Sequence, residues 1–441
     1  MLLNWLHTVV EKLFPKKSPP LPHYGRAIHA LPNPKEHELF DLSATAFSEN
    51  NILLGYRYFL ESLQHTNNHE HLILSETDDS LIFTLYQGSA ILHGRITTET
   101  FCATAHIAKA SLLHVAMKRR FLERNFQLTY CRFSEKEDGV ELGIKLHNTT
   151  ITPQKIFFPL RELALNADFE KEFISSEFDE SALLEVAHII PCDLDRLQRL
   201  HETMKNWISS TQSSLIGLLS NDNNGMASFS YLALLLQIDY LLIPHKKMAK
   251  EINEKINTYF MEDEKLTQDK NSDLEIYLNQ LSSMPFEMFK TQFYHAPTTF
   301  SPFEHALHDD IAEFIEESLA KVRWYKNNHT NYVIPVIYHY IALYILFNYG
   351  IHPSLRALLH LHVQIYASEF FADEGEIKLY ESSTGVFQKQ AITRIIETAL
   401  EPYQSRYKNL KNFADQLNFS DLNHFSQSFY IQIKNLDYQE V

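Results

Sequence analysis

Residues 71–97 read HLILSETDDSLIFTLYQGSAILHGRIT, and the fold predicted for the first half of the chain is based on them. It predicts three strands, His71–Glu76, Leu81–Gln87 and Ala90–Thr97, because each apolar run is bounded by turn residues such as Asp, Gly and Ser. The connections between the strands are only two to four residues long. Such short turns predict that the strands pair in antiparallel fashion.

A helix is predicted on each side of this meander. Glu49–Leu63 carries apolar residues at intervals of three and four, which is the spacing of one face of a helix. Thr98–Arg124 predicts a long second helix for the same reason, and its basic end suits a helix C-terminus. The apolar face of this second helix would consist of Phe101, Ala105, Ala108, Leu112 and Ala116.

Two further strands and a third helix complete the unit. The strands are predicted at Phe126–Phe133 and Val140–His147, and the helix from near Pro159 to Phe173. Val140–His147 alternates apolar and polar residues, so one face of the sheet is expected to be buried and the other wetter. Residues 49–177 are therefore predicted to form an α+β domain, an antiparallel sheet with flanking helices.

The order of elements over Glu49–Phe173, helix, three strands, helix, two strands and helix, resembles the type III secretion chaperone-like superfamily. The resemblance implies a small α+β domain that dimerises and binds other proteins, often non-globular segments of them. It implies no catalytic residues, because that family has no catalytic signature. The chain differs from the usual member in that residues 178–441 follow the domain.

The rest of the chain is predicted to be a helical domain. Residues 178–441 contain apolar-periodic segments without an internal repeat of solenoid length, which favours an irregular all-α arrangement. Tyr231–Ile243 and Tyr332–Phe347 are the most apolar stretches, and each carries polar residues. We interpret both as buried helices and not as membrane spans.

Two short segments precede the α+β domain. Residues 1–14 predict an amphipathic helix, and residues 15–48 a proline-rich linker, because proline fixes its own φ angle and lacks an amide donor. We interpret the helix as packing on its own protein or docking on a partner, with a membrane surface as the weaker alternative. The residues of this predicted partner-binding face are Leu2, Trp5, Leu6, Val9 and Leu13.

Composition argues against several classes of function. Only 11 of the 441 residues are glycine, and neither G-x-x-x-x-G-K-[ST] nor G-x-G-x-x-G occurs, which counts against P-loop and dinucleotide-binding proteins. The formal net charge of −16 disfavours nucleic-acid binding. Cys102, Cys131 and Cys192 are far apart and odd in number, which predicts a reducing, cytoplasmic location.

Histidines are the remaining candidates for chemistry, since the chain has 23 of them. Glu304, His305 and His308 are predicted to lie on one helix with 304 and 308 on the same face, whereas His360 and His362 are two apart on another predicted helix and would point in different directions. A metal site needs three or four such residues to converge, and H-E-x-x-H is absent. We interpret these histidines as ordinary surface or core residues and expect no catalytic residue, metal or cofactor.

Together, these patterns favour a non-enzymatic, cytoplasmic protein-binding or chaperone-like factor. The expected partner is another protein or a segment of one, and no nucleic acid, while homodimerisation stays open. Two other functions also stay open. One is an enzyme or small-ligand-binding protein with its site in the C-terminal helical domain, and the other is a peripheral membrane-associated scaffold that docks through residues 1–14.

Overall fold

An antiparallel sheet with its helices precedes a helical region in the computed structural model, which describes residues 24–26, 33–64, 71–137, 139–178, 180–216, 224–407, 410 and 412–438. These residues form two hydrophobic cores. One is built from residues 47–182 together with Phe300, and the other from residues 192–436 together with Tyr24. The predicted fold class, α+β followed by an all-α region, is confirmed.

Six strands form one antiparallel sheet: β1 (Leu72–Thr77), β2 (Ser80–Gln87), β3 (Ala90–Ile96), β4 (Thr100–Lys109), β5 (Arg132–Lys136) and β6 (Gly139–His147). Their order across the sheet is β1-β2-β3-β4-β6-β5. Leu92 of β3 lies between Leu85 of β2 and Ala105 of β4, so apolar side chains form rows across the sheet on one face.

Four helices accompany the sheet: α1 (Pro34–Ser48), α2 (Ile52–Ser62), α3 (Val115–Gln127) and α4 (Pro153–Glu177). Helices α2 and α4 contact the sheet face that carries the apolar rows. Tyr56 of α2 stacks on Phe101 of β4, with 5.5 Å between the ring centroids. On the other face, residues such as Thr84, His93 and Thr104 remain partly exposed.

The helix predicted for Thr98–Arg124 is wrong over Thr100–Lys109, which form β4 in the middle of the sheet. Residues 101, 103, 105 and 107 are buried and the residues between them are partly exposed, which is the period of two that a strand requires. The helix was predicted because Phe101, Ala105 and Ala108 recur at intervals of three and four. Pairing with β3 on one side and β6 on the other makes the segment a strand instead.

Two other boundaries also differ from the sequence prediction. Phe126, which was placed in a strand, belongs to α3, and β5 begins only at Arg132. Helix α4 begins at Pro153, because Thr152 accepts a hydrogen bond from the amide of Lys155 and caps it. The observed order is therefore two helices, four strands, a helix, two strands and a helix.

Residues 34–48, which the sequence assigned to the proline-rich linker, form helix α1. Asn33 Oδ1 accepts from Glu36 N at 3.0 Å, and Glu36 Oε2 accepts from Asn33 N at 2.9 Å. This reciprocal pair is a capping box, and Pro34 occupies the first helical position, where an amide donor is not needed. The helix therefore starts immediately after the prolines of the linker.

Residues 24–26, also in the segment predicted as a linker, pack into the helical core. Arg26 Nη2 donates to Asp239 Oδ1 at 2.8 Å, and Gly25 N donates to Tyr240 O at 2.9 Å. Gly25 has a φ angle of +74°, and a Cβ there would lie 2.4 Å from the ring of Tyr240. At this point the linker is fixed to the helical region and is not a free tether.

The helices of the second core are α5 (Leu194–Leu215), α6 (Asn224–Gln237), α7 (Lys246–Met261), α8 (Thr267–Ser282), α9 (Phe286–Lys290), α10 (His308–Asn327), α11 (Ile334–Asn348), α12 (Pro353–Tyr366), α13 (Ser368–Asp373), α14 (Lys389–Leu400) and α15 (Leu422–Lys434). Asn224–Leu242 and Asn331–Asn348 are long and apolar enough to cross a membrane by length and composition. Within the protein, 78% and 67% of their most apolar windows are buried, as in core helices.

A segment of the helical region inserts into the end of the sheet. Gln87 Oε1 accepts from Phe300 N at 2.7 Å and from Thr299 N at 3.2 Å, and Gly88 N donates to Pro297 O at 3.0 Å. These bonds attach the segment beside the end of β2 and place Phe300 in the core of the sheet. The two cores are thereby joined by backbone as well as by side chains.

Candidate protein-binding surface

Helix α3 contacts its own protein through a narrow face. Of its 13 residues only Met117 and Phe121 are buried, and Phe121 stacks on Phe133 of β5 with ring centroids 4.6 Å apart. Helices of this length are marginal in water without tertiary packing. Two buried side chains are few, because a surface helix usually turns a broad apolar stripe towards the core.

Ion pairs complete the attachment of α3 to α4. The carboxylate of Glu170, which is buried, accepts from Arg120 Nε at 2.8 Å and pairs with Arg124 Nε at 3.0 Å. The guanidinium of Arg120 also lies 4.0 Å from the ring centroid of Phe173. Two arginines on one buried carboxylate satisfy its charge and set the position of α3 on α4.

The turn that follows α3 is held by Glu162 of α4. Glu162 Oε1 accepts from Thr129 N at 2.8 Å, and its Oε2 accepts from Tyr130 N at 2.7 Å and from Cys131 N at 2.9 Å. Three consecutive amides are therefore bound by one carboxylate. The orientation of α3 is set at both its middle and its end, so a partner would meet a preorganised helix.

The opposite side of α3 exposes an apolar stripe. Val115, Leu122 and Phe126 are 75%, 65% and 93% exposed, and Leu112, in the turn before the helix, is 54% exposed. We call these four residues the α3 stripe. The spacings of Val115, Leu122 and Phe126 along the helix, seven and then four, put these three on the side opposite the two buried residues. An exposed apolar row of this kind is typical of an interaction site.

Positive charge accompanies the α3 stripe. Helix α3 carries four basic residues and one acidic residue, although the chain as a whole has a net charge of −16. Arg119 is exposed between Val115 and Leu122 on the same side of the helix, and Lys118 beside it pairs with Glu135 at 3.3 Å. The surface therefore suits a partner that offers apolar and acidic groups.

The structure does not describe the residues that the sequence predicts to bind a partner. Leu2, Trp5, Leu6, Val9 and Leu13 all lie outside the described ranges. The sequence analysis also missed the α3 stripe, because treating Thr98–Arg124 as one helix placed Leu112 on the buried face. The signal in the sequence is the helical spacing of the stripe, which becomes visible once the helix is known to begin at Val115.

The histidines that were candidates for metal binding are dispersed. His360 Nδ1 hydrogen-bonds Tyr240 Oη at 2.9 Å, whereas His362 Nε2 hydrogen-bonds Ser426 Oγ at 2.9 Å, so the two rings point to different neighbours as expected. The prediction that Glu304, His305 and His308 share a helix is wrong, because α10 begins only at His308, and Glu304 instead forms an ion pair with an arginine of α4. Within the described ranges, no three His, Cys, Asp or Glu residues are grouped in a way that could hold a metal ion.

Two carboxylates that the sequence did not single out lie where the sheet meets the helical region. Asp168 Oδ1 accepts from Ser89 N at 2.7 Å and from Ser89 Oγ at 2.8 Å, and Glu172 accepts from Lys246 N at 2.5 Å and from Tyr294 Oη. Burial and the charge of Glu172 raise the pKa of Asp168 to about 7. Each carboxylate is occupied by fixed donors: Asp168 holds the turn between β2 and β3, and Glu172 ties α4 to the helical region.

Neither a protein-family model nor a curated protein sequence matches the chain. Function therefore has to be inferred from the chemistry of the surfaces described above. Phe126 is the most exposed large apolar side chain among the described residues, and it belongs to a row of such side chains on a fixed helix.

Proposed function

We propose that the chain is a non-enzymatic, cytoplasmic protein-binding factor of a chaperone-like kind, which holds a segment of its partner on the α3 stripe. The supporting observation is that α3 presents Val115, Leu122 and Phe126 to solvent on a helix whose position is already fixed. Burying each of these side chains in an interface would contribute roughly 1.5–3 kcal/mol. The three free cysteines suit a reducing compartment.

The partner segment is expected to be apolar and acidic. A second copy of the chain is a poorer fit, because a symmetric dimer through α3 would set Arg119 of each copy against a surface with the same cation, while the other three basic residues of the helix already pair with carboxylates of their own chain. An acidic segment would instead place its carboxylates near Arg119 while its apolar side chains cover the stripe. Charge complementarity of this kind favours a partner of a different sequence.

The resemblance to the type III secretion chaperone-like superfamily supports the same proposal from element order. The observed domain departs from that order, since β4 stands where a helix was predicted and α1 precedes the first predicted helix. The resemblance implies a small α+β protein-binding module. It assigns no particular residue to binding, and the α3 stripe is assigned from the structure alone.

The first experiment is site-specific photo-cross-linking in the native host. A photoreactive amino acid replaces Phe126, and in a control protein it replaces Ile276, which is exposed on α8. We expect position 126, and not position 276, to cross-link to one protein segment that contains apolar and acidic residues. A synthetic peptide of that segment then gives a dissociation constant with the purified full chain by fluorescence anisotropy.

Substitutions then connect the binding to the α3 stripe. We expect Leu122→Ser with Phe126→Ser, and separately Arg119→Glu, to weaken peptide binding at least about tenfold without changing stability, since these side chains are exposed. Ile276→Ser with Met261→Ser is the matched control, because both side chains are also exposed. Equal affinities for all variants, or cross-links at position 126 only to a second copy or to phospholipid, would refute the proposal.

A further inference from the structure

A cleft lies in the helical region, far in sequence from the α3 stripe, between α10, the start of α11 and α15. Its volume is about 270 Å³. Leu319, Val322 and Ile334 form a buried apolar floor, together with the ring of Tyr338, and Ile431 stands at the side. The volume is slightly below the usual range of about 300–1,000 Å³ for ligand sites, so only a small molecule fits.

The mouth of the cleft carries two cations from α10, Arg323 and Lys326. Arg323 Nη2 donates to Glu316 Oε1 at 3.0 Å, and this bond occupies one edge of the guanidinium group. A guanidinium has five N–H donors, so others remain for a ligand. The cations stand beside an apolar floor, which is the arrangement that an anion with an apolar body requires.

One acidic residue, Asp421, also lines the cleft, and its charge is engaged elsewhere. Asp421 Oδ1 accepts from His424 N at 2.9 Å and thereby caps α15, and its Oδ2 lies 2.6 Å from His424 Nδ1. Burial opposes ionisation of this carboxyl group, but the hydrogen bonds from His424 hold the pKa of Asp421 below its usual value. Both of its oxygens thus face His424 at the start of α15, and the two cations outnumber this single carboxylate in the lining of the cleft.

We propose that this cleft binds a small amphipathic anion. The anionic group, a carboxylate or a phosphate, pairs with Arg323 and Lys326. The apolar body lies on Leu319, Val322 and Ile334. This site is independent of partner binding by the α3 stripe.

The test uses 4-hydroxyphenylacetate as the probe and its uncharged amide, 4-hydroxyphenylacetamide, as the comparison. Titration of the full chain, followed by ligand-observed NMR, gives the affinity of each. We expect the carboxylate to bind at least about tenfold more tightly than the amide, because a charge-assisted hydrogen bond distinguishes them. Arg323→Gln or Lys326→Gln should remove most of this difference.

Lys321→Gln is the matched control, since Lys321 is exposed on the same helix and does not line the cleft. It should leave both affinities unchanged. Ile431→Trp should abolish binding by filling the cleft, and circular dichroism checks that the fold is retained. The proposal is overturned if the probe does not bind at millimolar concentration, if Arg323→Gln and Lys321→Gln behave alike, or if Ile431→Trp binds like the unsubstituted chain.

Discussion

Among the described glycines, Gly94 of β3 leaves the least room for an added side chain. A Cβ at this position would lie 1.9 Å from Cε1 of Phe83. Phe83 is almost fully buried, so its ring has little room to move away. We expect Gly94→Ala to lower the free energy of unfolding by roughly 1–3 kcal/mol, as overpacking of a core does. Denaturant unfolding followed by far-UV circular dichroism measures this loss.

Gly143 of β6 provides the control for this substitution. A Cβ there would lie 3.1 Å from Cγ2 of Thr104, which is a much smaller overlap. Gly143→Ala should therefore be close to neutral. Adding Phe83→Leu to Gly94→Ala should recover part of the lost stability, because the Cβ at position 94 and the side chain at position 83 compete for the same volume. Equal losses for both alanine variants would contradict the packing explanation.

Strand β4 shows why element type was predictable for most of the sheet and not here. The apolar residues of Thr100–Lys109 fit both the two-residue period of a strand and the spacing of three or four residues of a helix, since Phe101 and Ala105 satisfy either period. Alanine favours a helix by intrinsic propensity. The strand forms because β3 and β6 each offer a ladder of hydrogen bonds to it, and pairing between distant segments is not visible in a local pattern.

Helix α3 should be the element most sensitive to loss of its ion pairs. Glu170→Gln keeps the shape of the buried side chain but removes the charge that holds Arg120 and Arg124. Since only two apolar side chains also hold α3, we expect its amides, Val115–Gln127, to exchange at least about tenfold faster. Hydrogen exchange followed by mass spectrometry measures this change.

Glu123→Gln is the control for that experiment, because Glu123 is the exposed acidic residue of the same helix. It should leave exchange in α3 nearly unchanged, and neither variant should alter exchange in β2 or β3. If Glu170→Gln also leaves α3 protected, then the other contacts hold the helix, namely packing of Met117 and Phe121 and the two hydrogen bonds between Asn125 and the backbone of Phe133. The fixed orientation of the α3 stripe would then not depend on Glu170.

At the scale of the whole molecule, composition and periodicity predicted an α+β region followed by helices, and the structure has that order. The junction between the regions was not predictable. Arg26 and Asp239 are 213 residues apart, and Gln87 meets Phe300 across a similar separation. Such pairs carry no local signal, and the cleft beside Arg323 likewise assembles from three helices that are distant in sequence.

Neutral histidines buried in the helical core should make the molecule sensitive to acid. Both His339 of α11 and His362 of α12 are almost fully buried. Burial lowers the pKa of His362 to about 3, and burial together with His362 lowers the pKa of His339 well below its usual value. Because both pKa values are lowered on folding, the associated stability is present above about pH 6.5 and is lost as the pH falls.

We expect His362 alone to account for a loss of roughly 2 kcal/mol in unfolding free energy between pH 7.5 and pH 5, since the unfolded chain binds a proton that the folded chain excludes. Urea unfolding across this range measures the loss, and histidine NMR follows the ring directly. His362→Gln should flatten the pH dependence by that amount even if it lowers stability at pH 7.5. His147→Gln, at an exposed position of β6, should leave the slope unchanged. Protonation of His362 near pH 6.5 in the folded chain would contradict the burial argument. The imidazolium would then lie in the core beside Ser426 and Tyr430, with no acidic partner among the described residues.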